Sequence, residues 1–254
     1  MVLQAQEGRL TTSAVRVLVA TAVPAERDAV AAAFRDGTAG VRLPGPVLLH
    51  RAREGRTEYD LLAAGVGPAL AAAGTATALT AAALEGRPYA LVVSAGIAGG
   101  FQPAAPVGSL VVADEIVAAD LGAETAEGFV PVTELGFGTV SHRPPDSLVR
   151  AIAEVTGARP GAVLTVSTVT GSAARADELR ARHPRALAEA MEGFGVAEAA
   201  AAHAVPVLEM RAVSNPVGPR DRAAWRIADA LAALTGAFGK LAPALESWNP
   251  HDHR

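Results

Sequence analysis

Residues 15–34 read VRVLVATAVPAERDAVAAAF. The first seven, Val15–Thr21, are mostly β-branched or apolar, as expected of a strand buried between neighbours. Pro24 then stands where a helix begins, a position that needs neither its missing N–H nor a free φ. Glu26 falls in the first turn, where a carboxylate complements the helix dipole by roughly 0.3–1 kcal/mol. A strand followed at once by a helix, here Pro24–Phe34, is the repeating unit of a sheet covered by helices on both faces.

The alternation continues along the chain. Strands are expected at Tyr59–Ala64, Tyr89–Ser94, Ser109–Val117, Ala162–Ser167 and Val205–Val213. Helices are expected at Pro68–Leu84, Pro145–Val155, Ala173–His183 and Glu192–Ala204. A last helix carries Ile227, Leu231, Leu234, Phe238, Leu241 and Leu245 on one face, at alternating spacings of four and three. The fold expected is α/β: a three-layer α/β/α sandwich around a central mixed, mostly parallel sheet. The 254 residues suit one large domain, expected over 15–246, better than two of about 150 residues each. Residues 1–14 read as a leader and 247–254 as a polar tail.

Composition narrows the function. With 22 basic and 26 acidic residues the formal charge is −4, so no global field attracts nucleic acid or an anionic membrane. There is no cysteine, which removes disulfides, thiolate metal sites and a cysteine nucleophile. The six histidines form no metal-ligand pattern, and neither a metal nor a cofactor is expected. Leu61–Leu84 holds no charge over a membrane-spanning length, but Gly65-Val66-Gly67-Pro68 breaks it and Ala and Thr drive insertion poorly.

Several junctions carry chemistry. Glu26 follows the first strand, at the carboxyl edge where open α/β sheets bind ligands, and is read either as a cap or as an acid/base group. Gly65–Leu70 imitates a dinucleotide turn imperfectly, and close packing accounts for its glycines. Ser94-Ala95-Gly96-Ile97-Ala98-Gly99-Gly100 offers either a tight turn or a backbone that a ligand can approach. No Arg or Lys lies in this stretch to hold a phosphate. Met191-Glu192 precedes an Ala-rich helix, and Arg211-Ala-Val-Ser-Asn215 leaves the end of an apolar strand.

Taken in order, these motifs resemble the purine nucleoside phosphorylase and nucleosidase superfamily. The resemblance runs from Val15 to Leu245 and is nearest to the branch that cleaves hypoxanthine from futalosine on the way to menaquinone. It implies a homo-oligomeric hydrolase of an N-glycosidic bond, with a methylthioadenosine/S-adenosylhomocysteine nucleosidase, a purine nucleoside phosphorylase and a non-catalytic purine nucleoside sensor as the alternatives. The absence of cysteine is compatible with the cytoplasm expected for it. The implied catalytic residues are Glu26, which holds and deprotonates water; Glu192, on the ribose hydroxyls; Arg211; and Asn215, on the base. Ser94, Ala95, Gly96, Val169 and Met191 are implied to bind substrate. The partner is a small nucleoside, not nucleic acid or a membrane.

Two departures sharpen this reading. Adenine-cleaving members are expected to carry Asp where Asn215 stands. An amide offers one donor and one acceptor side, which suits a 6-oxopurine, but it cannot protonate a leaving base; Asp221 is a candidate acid. Val166–Gly171 holds no ring to stack on the base, leaving Val169, Phe101 or Phe194. The long segment Asp120–Pro145, with Arg143, is the candidate for the group on the 5′ side of the ribose.

Overall fold

β1 (Val15–Thr21) runs through the middle of the main sheet. It lies parallel to β4 (Thr57–Ala63) on one side and β5 (Leu91–Gly100) on the other. Flanked on both edges and covered on both faces, only Val15 of its seven residues is exposed. The computed structural model describes residues 15–43 and 45–248. The leader expected over 1–14 and residues 249–254 of the expected tail lie outside them.

From one edge, the sheet runs β11 (Ala186–Ala190), β10 (Arg159–Thr165), β6 (Leu110–Ala118), β12 (Val207–Pro216), β5, β1, β4, β3 (Leu48–Glu54) and β2 (Ala39–Arg42). The parallel registers are the long ones, with nine residue pairs between β12 and β5 and seven between β10 and β6. Antiparallel pairing joins β2, β3 and β4 at one edge.

Helices cover both faces, as expected. α1 (Pro24–Ala31), α3 (Asp146–Thr156) and α6 (Ile227–Ser247) bury Val30, Ile152 and Phe238 against Val17, Val93 and Leu208. On the opposite face α2 (Pro68–Leu84) and α5 (Gly193–Ala202) pack Leu79 and Val196 against Leu18 and Val92. α4 (Ala173–Arg182) sets Leu179 against Leu164 and Ala186. The α6 stripe is buried from Leu234 onward, whereas Ile227 is exposed. Trp248, at the start of the expected tail, packs against the α6-side core.

The sheet also curls. β11 pairs antiparallel with β5 at Ala188↔Gly100 and Glu189↔Gly99, although β10, β6 and β12 lie between them in strand order. That half of the sheet therefore closes into a ring. β11 reads AlaLeuAlaGluAla, all good helix formers, yet every residue is buried in a strand, a case of tertiary context overriding local propensity. The segment 120–145 is ordered as a hairpin of β7 (Gly122–Thr125) and β8 (Gly128–Pro131), followed by β9 (Ser141–His142) on β6. Arg182 stacks on its Phe129, 4.3 Å from the ring centre. No helix among the described residues is long and apolar enough to cross a membrane.

Candidate active site

A cavity of about 330 Å³ opens at the carboxyl ends of β1, β5, β11 and β12, and Glu26, Met191, Glu192, Asn215 and Val169 all line it. Strand ends far apart in sequence thus converge on one rim. Ala22, Val66, Ile97–Gly99, Thr170, Glu189, Ser214, Val217, Arg220 and Trp225 complete much of the wall.

Glu26 caps α1 and also lines the cavity. As N3 of α1 it caps the first turn, Oε2 accepting from the N-cap amide of Val23 at 3.3 Å and from Ala22 N at 2.9 Å. Its Oε1 accepts from Ile97 N at 2.9 Å. The carboxylate is 4 % exposed, held by three amides at the cavity wall. The stretch that supplies Ile97 is not a turn: β5 continues through Gly100. Strand alternation sorts its members. Ser94 and Gly96 face the Glu26–Arg211 side. Ala95 faces the α1/α6 core, where it is 1 % exposed, so of the three only Ser94 and Gly96 meet the polar tips. A β-carbon there would lie 2.6 Å from Glu26 Oε1 and 2.7 Å from Arg211 Nη1.

Glu192 is the N-cap of α5. Its Oε1 accepts from Gly67 N at 3.3 Å and its Oε2 from Met191 N and Arg211 Nη1, each at 3.3 Å. The glycine turn before α2 therefore serves a carboxylate, with Gly65 and Gly67 at φ +111° and +87°, a region that favours glycine.

Arg211 lies behind the cavity wall and is 1 % exposed. Its guanidinium donates to Glu209 Oε1 at 2.8 Å, to Glu192 Oε2 and to Ser94 Oγ at 3.1 Å. Arg211 thus holds the Glu192 carboxylate, and Ser94 holds Arg211. Sequence reasoning missed Glu209, although a lone acid inside Val207–Met210 needs a buried partner. Burial pushes the Glu209 carboxyl up, with Arg211 opposing.

At the other end, Asn215 Oδ1 accepts from Ser214 Oγ at 2.8 Å and Nδ2 donates to Pro216 O at 3.0 Å. One amide hydrogen and one lone pair remain for a ligand. Phe101 is buried in the core and Phe194 stacks on His142 at 5.4 Å, so neither reaches the cavity. The ring in the wall is Trp225, with Arg220 5.2 Å above it. Asp221 caps a short helical turn, accepting from Ala223 N at 3.1 Å, and lies outside the lining. Arg143 pairs with Glu115 at 3.1 Å, away from the cavity. Among the described residues no cluster of His, Asp and Glu is arranged to hold a metal.

The family model described as the phosphorylase superfamily matches residues 16–244. The chain belongs to the phosphorylase superfamily. Within this superfamily it is 75 % identical over 236 residues to futalosine hydrolase of Streptomyces coelicolor, covering 93 % of this chain and 99 % of that protein. It is 46 % identical to futalosine hydrolase of Acidothermus cellulolyticus, covering 91 % of each. The solved structure of futalosine hydrolase of Helicobacter pylori shares the fold, with a TM-score of 0.76 at 18 % identity over 91 % of this chain and 98 % of that one.

Proposed function

We infer that the protein hydrolyses the N-glycosidic bond of futalosine, releasing hypoxanthine and dehypoxanthine futalosine. The observation that carries the chemistry is the pair Glu26 and Glu192 on one cavity wall. The first suits a general base on water. The second suits the ribose hydroxyls, where a negative charge favours the oxocarbenium-like transition state. Met191 packs beside the sugar, and Asn215 and Val169 meet the base. Water is the nucleophile, because the amides of Ala22, Val23 and Ile97 that could bind a phosphate already hold Glu26, and Arg211 is engaged elsewhere. The two highly similar relatives named as futalosine hydrolases supply the substrate.

This reaction serves menaquinone formation in the cytoplasm, and the protein works as a homo-oligomer. The α2 surface supports assembly: it carries no charged residue from Pro68 to Leu84, while Leu70 and Leu84 stand 59 % and 84 % exposed. Incubation with futalosine, inosine and methylthioadenosine, with and without phosphate, tests the assignment. Phosphate-independent hypoxanthine release from futalosine is expected; adenine release alone would refute it. Light scattering after gel filtration reads the assembly.

A further inference from the structure

Asn215 leaves one need unmet. When the bond between N9 and C1′ breaks, its electron pair stays with the base, and a hypoxanthine anion is a poor leaving group unless N7 takes a proton. An amide side chain cannot give one.

Glu189 stands in the same cavity, on the other edge of β5 from Asn215. Both Glu189 and Asn215 register with Gly99, one across the β11–β5 pairing and the other across β12–β5, and both line the cavity. The Glu189 carboxyl is 5 % exposed and has no cationic partner within ion-pair reach among the described residues. Its Oε1 accepts from Thr170 N at 2.8 Å, and its Oε2 lies 2.5 Å from Thr170 Oγ1. Thr170 itself lines the cavity. A hydroxyl between a carboxyl and an open cavity can turn, accepting from the acid while donating to what lies beyond.

We propose that Glu189, acting through the Thr170 hydroxyl, is the general acid that protonates N7 of the departing hypoxanthine. This rests on the hydrolase reading above. The proton passes from Glu189 Oε2 to Thr170 Oγ1 while the threonine proton moves to N7. The N9–C1′ pair stays on the base, which leaves neutral. Water gives hydroxide to C1′ and its proton to Glu26; solvent then returns a proton to Glu189 and removes one from Glu26. Burial, the larger influence, pushes the Glu189 carboxyl up and favours the protonated acid, with Asp120 acting in the same sense and Thr170 and Arg175 opposing. Glu26, Glu192 and Arg220 are the other charged groups that line the cavity.

The test compares wild type, Glu189→Gln and Thr170→Val on futalosine and on its N7-methylated derivative, whose base already carries positive charge and leaves without a proton. Glu189→Gln keeps the acceptor for Thr170 N but has no acidic proton. We expect kcat on futalosine to fall about 10²–10⁴-fold, the usual contribution of a general acid, with turnover of the methylated substrate near wild type. Thr170→Val is expected to behave alike. The kcat of wild type on futalosine should fall on the alkaline side as the acid ionises, and this limb should vanish in Glu189→Gln. Equal losses on both substrates, near-normal turnover of futalosine, or an unchanged alkaline limb in Glu189→Gln would each overturn the assignment. Wild-type protein releasing no hypoxanthine would instead overturn the hydrolase reading, and this assignment with it.

Discussion

Glu26 and Arg211 close on the same point in space from opposite ends of the chain: a β-carbon on Gly96 would sit within 3 Å of both, 2.6 Å from Oε1 of the first and 2.7 Å from Nη1 of the second. Both are side-chain tips, so a methyl group at Gly96 displaces the functional groups before it displaces the sheet. Gly96→Ala is expected to lower kcat/KM about 100-fold, the scale of an ångström's misplacement, and to lower the melting temperature too, because the Arg211 guanidinium it displaces is buried and held by Glu209, Glu192 and Ser94. Unaltered turnover would show that the tips have room.

Glu26→Gln and Glu192→Gln preserve volume but remove charge. Each is expected to cost about 10²-fold or more in kcat, as loss of a base or of transition-state charge stabilisation does, while circular dichroism stays native. Glu26 has the larger folding role because both its oxygens accept from backbone amides; glutamine has one acceptor oxygen, so its variant leaves an N–H unpaired and should melt slightly lower, by about 1 kcal/mol. Near-normal hypoxanthine release by either variant would remove that residue from the mechanism.

Glu26, Glu192 and Asn215 were legible in the sequence because each stands where an apolar strand gives way to a turn or helix, and parallel strands deliver such junctions to one edge. Glu189 was not, since Ala186–Ala190 has the composition of a helix and becomes a strand only by closing the curled sheet onto Gly99 and Gly100. Ala95 was misassigned for a simpler reason. Ser94–Gly100 continues strand β5, and its two-residue alternation puts Ala95 in the core and Ser94 and Gly96 beside Arg211. Trp225 and Arg220 carry no pattern at all; only the path of the chain after β12 brings them to the cavity.

Arg211 separates stability from activity. Its removal leaves Glu209 buried at 0 % exposure without its partner, so Arg211→Met is expected to cost about 3–5 kcal/mol, which for a chain of this size is a fall of roughly 10 °C. Replacing both members, Arg211→Met with Glu209→Leu, should recover most of that loss, as apolar replacements of buried ion pairs often do. Activity should stay low in the double variant because Glu192 then keeps the amides of Gly67 and Met191 but loses the Arg211 guanidinium. Thermal melts and hypoxanthine assays on the three proteins decide it; a double variant as unstable as the single one would contradict the account.

Asn215→Asp converts an amide into a carboxyl beside the base end of the cavity. An acid there can donate to N7 of an adenine nucleoside, and as a carboxylate it repels the carbonyl oxygen of hypoxanthine. Preference, measured as the ratio of kcat/KM for methylthioadenosine to that for futalosine, is expected to rise at least about 10-fold, the factor for 1.4 kcal/mol of differential binding. An unchanged ratio would mean that Asn215 does not read the base.

Far from the cavity, Asp60 is fully buried in β4 and receives Arg16 at 2.6 Å, Arg51 at 2.7 and 2.9 Å and the Tyr89 hydroxyl at 2.6 Å. Burial alone would raise its carboxyl, but the donors prevail and hold it below the usual carboxylate range. The unfolded chain therefore binds the proton more readily than the native one, so the stabilisation is fully present above the ordinary aspartate range and fades as pH drops through the lowered native value. Asp60→Asn is expected to cost about 1.5–3 kcal/mol at neutral pH, the scale of a charged hydrogen bond, because Arg16 and Arg51 keep Glu58 at 3.1 and 3.3 Å but lose Asp60, and to flatten the acid limb of stability against pH. Denaturant melts from neutral to strongly acid pH measure both effects; an acid limb as steep in the variant as in wild type would locate the acid sensitivity elsewhere.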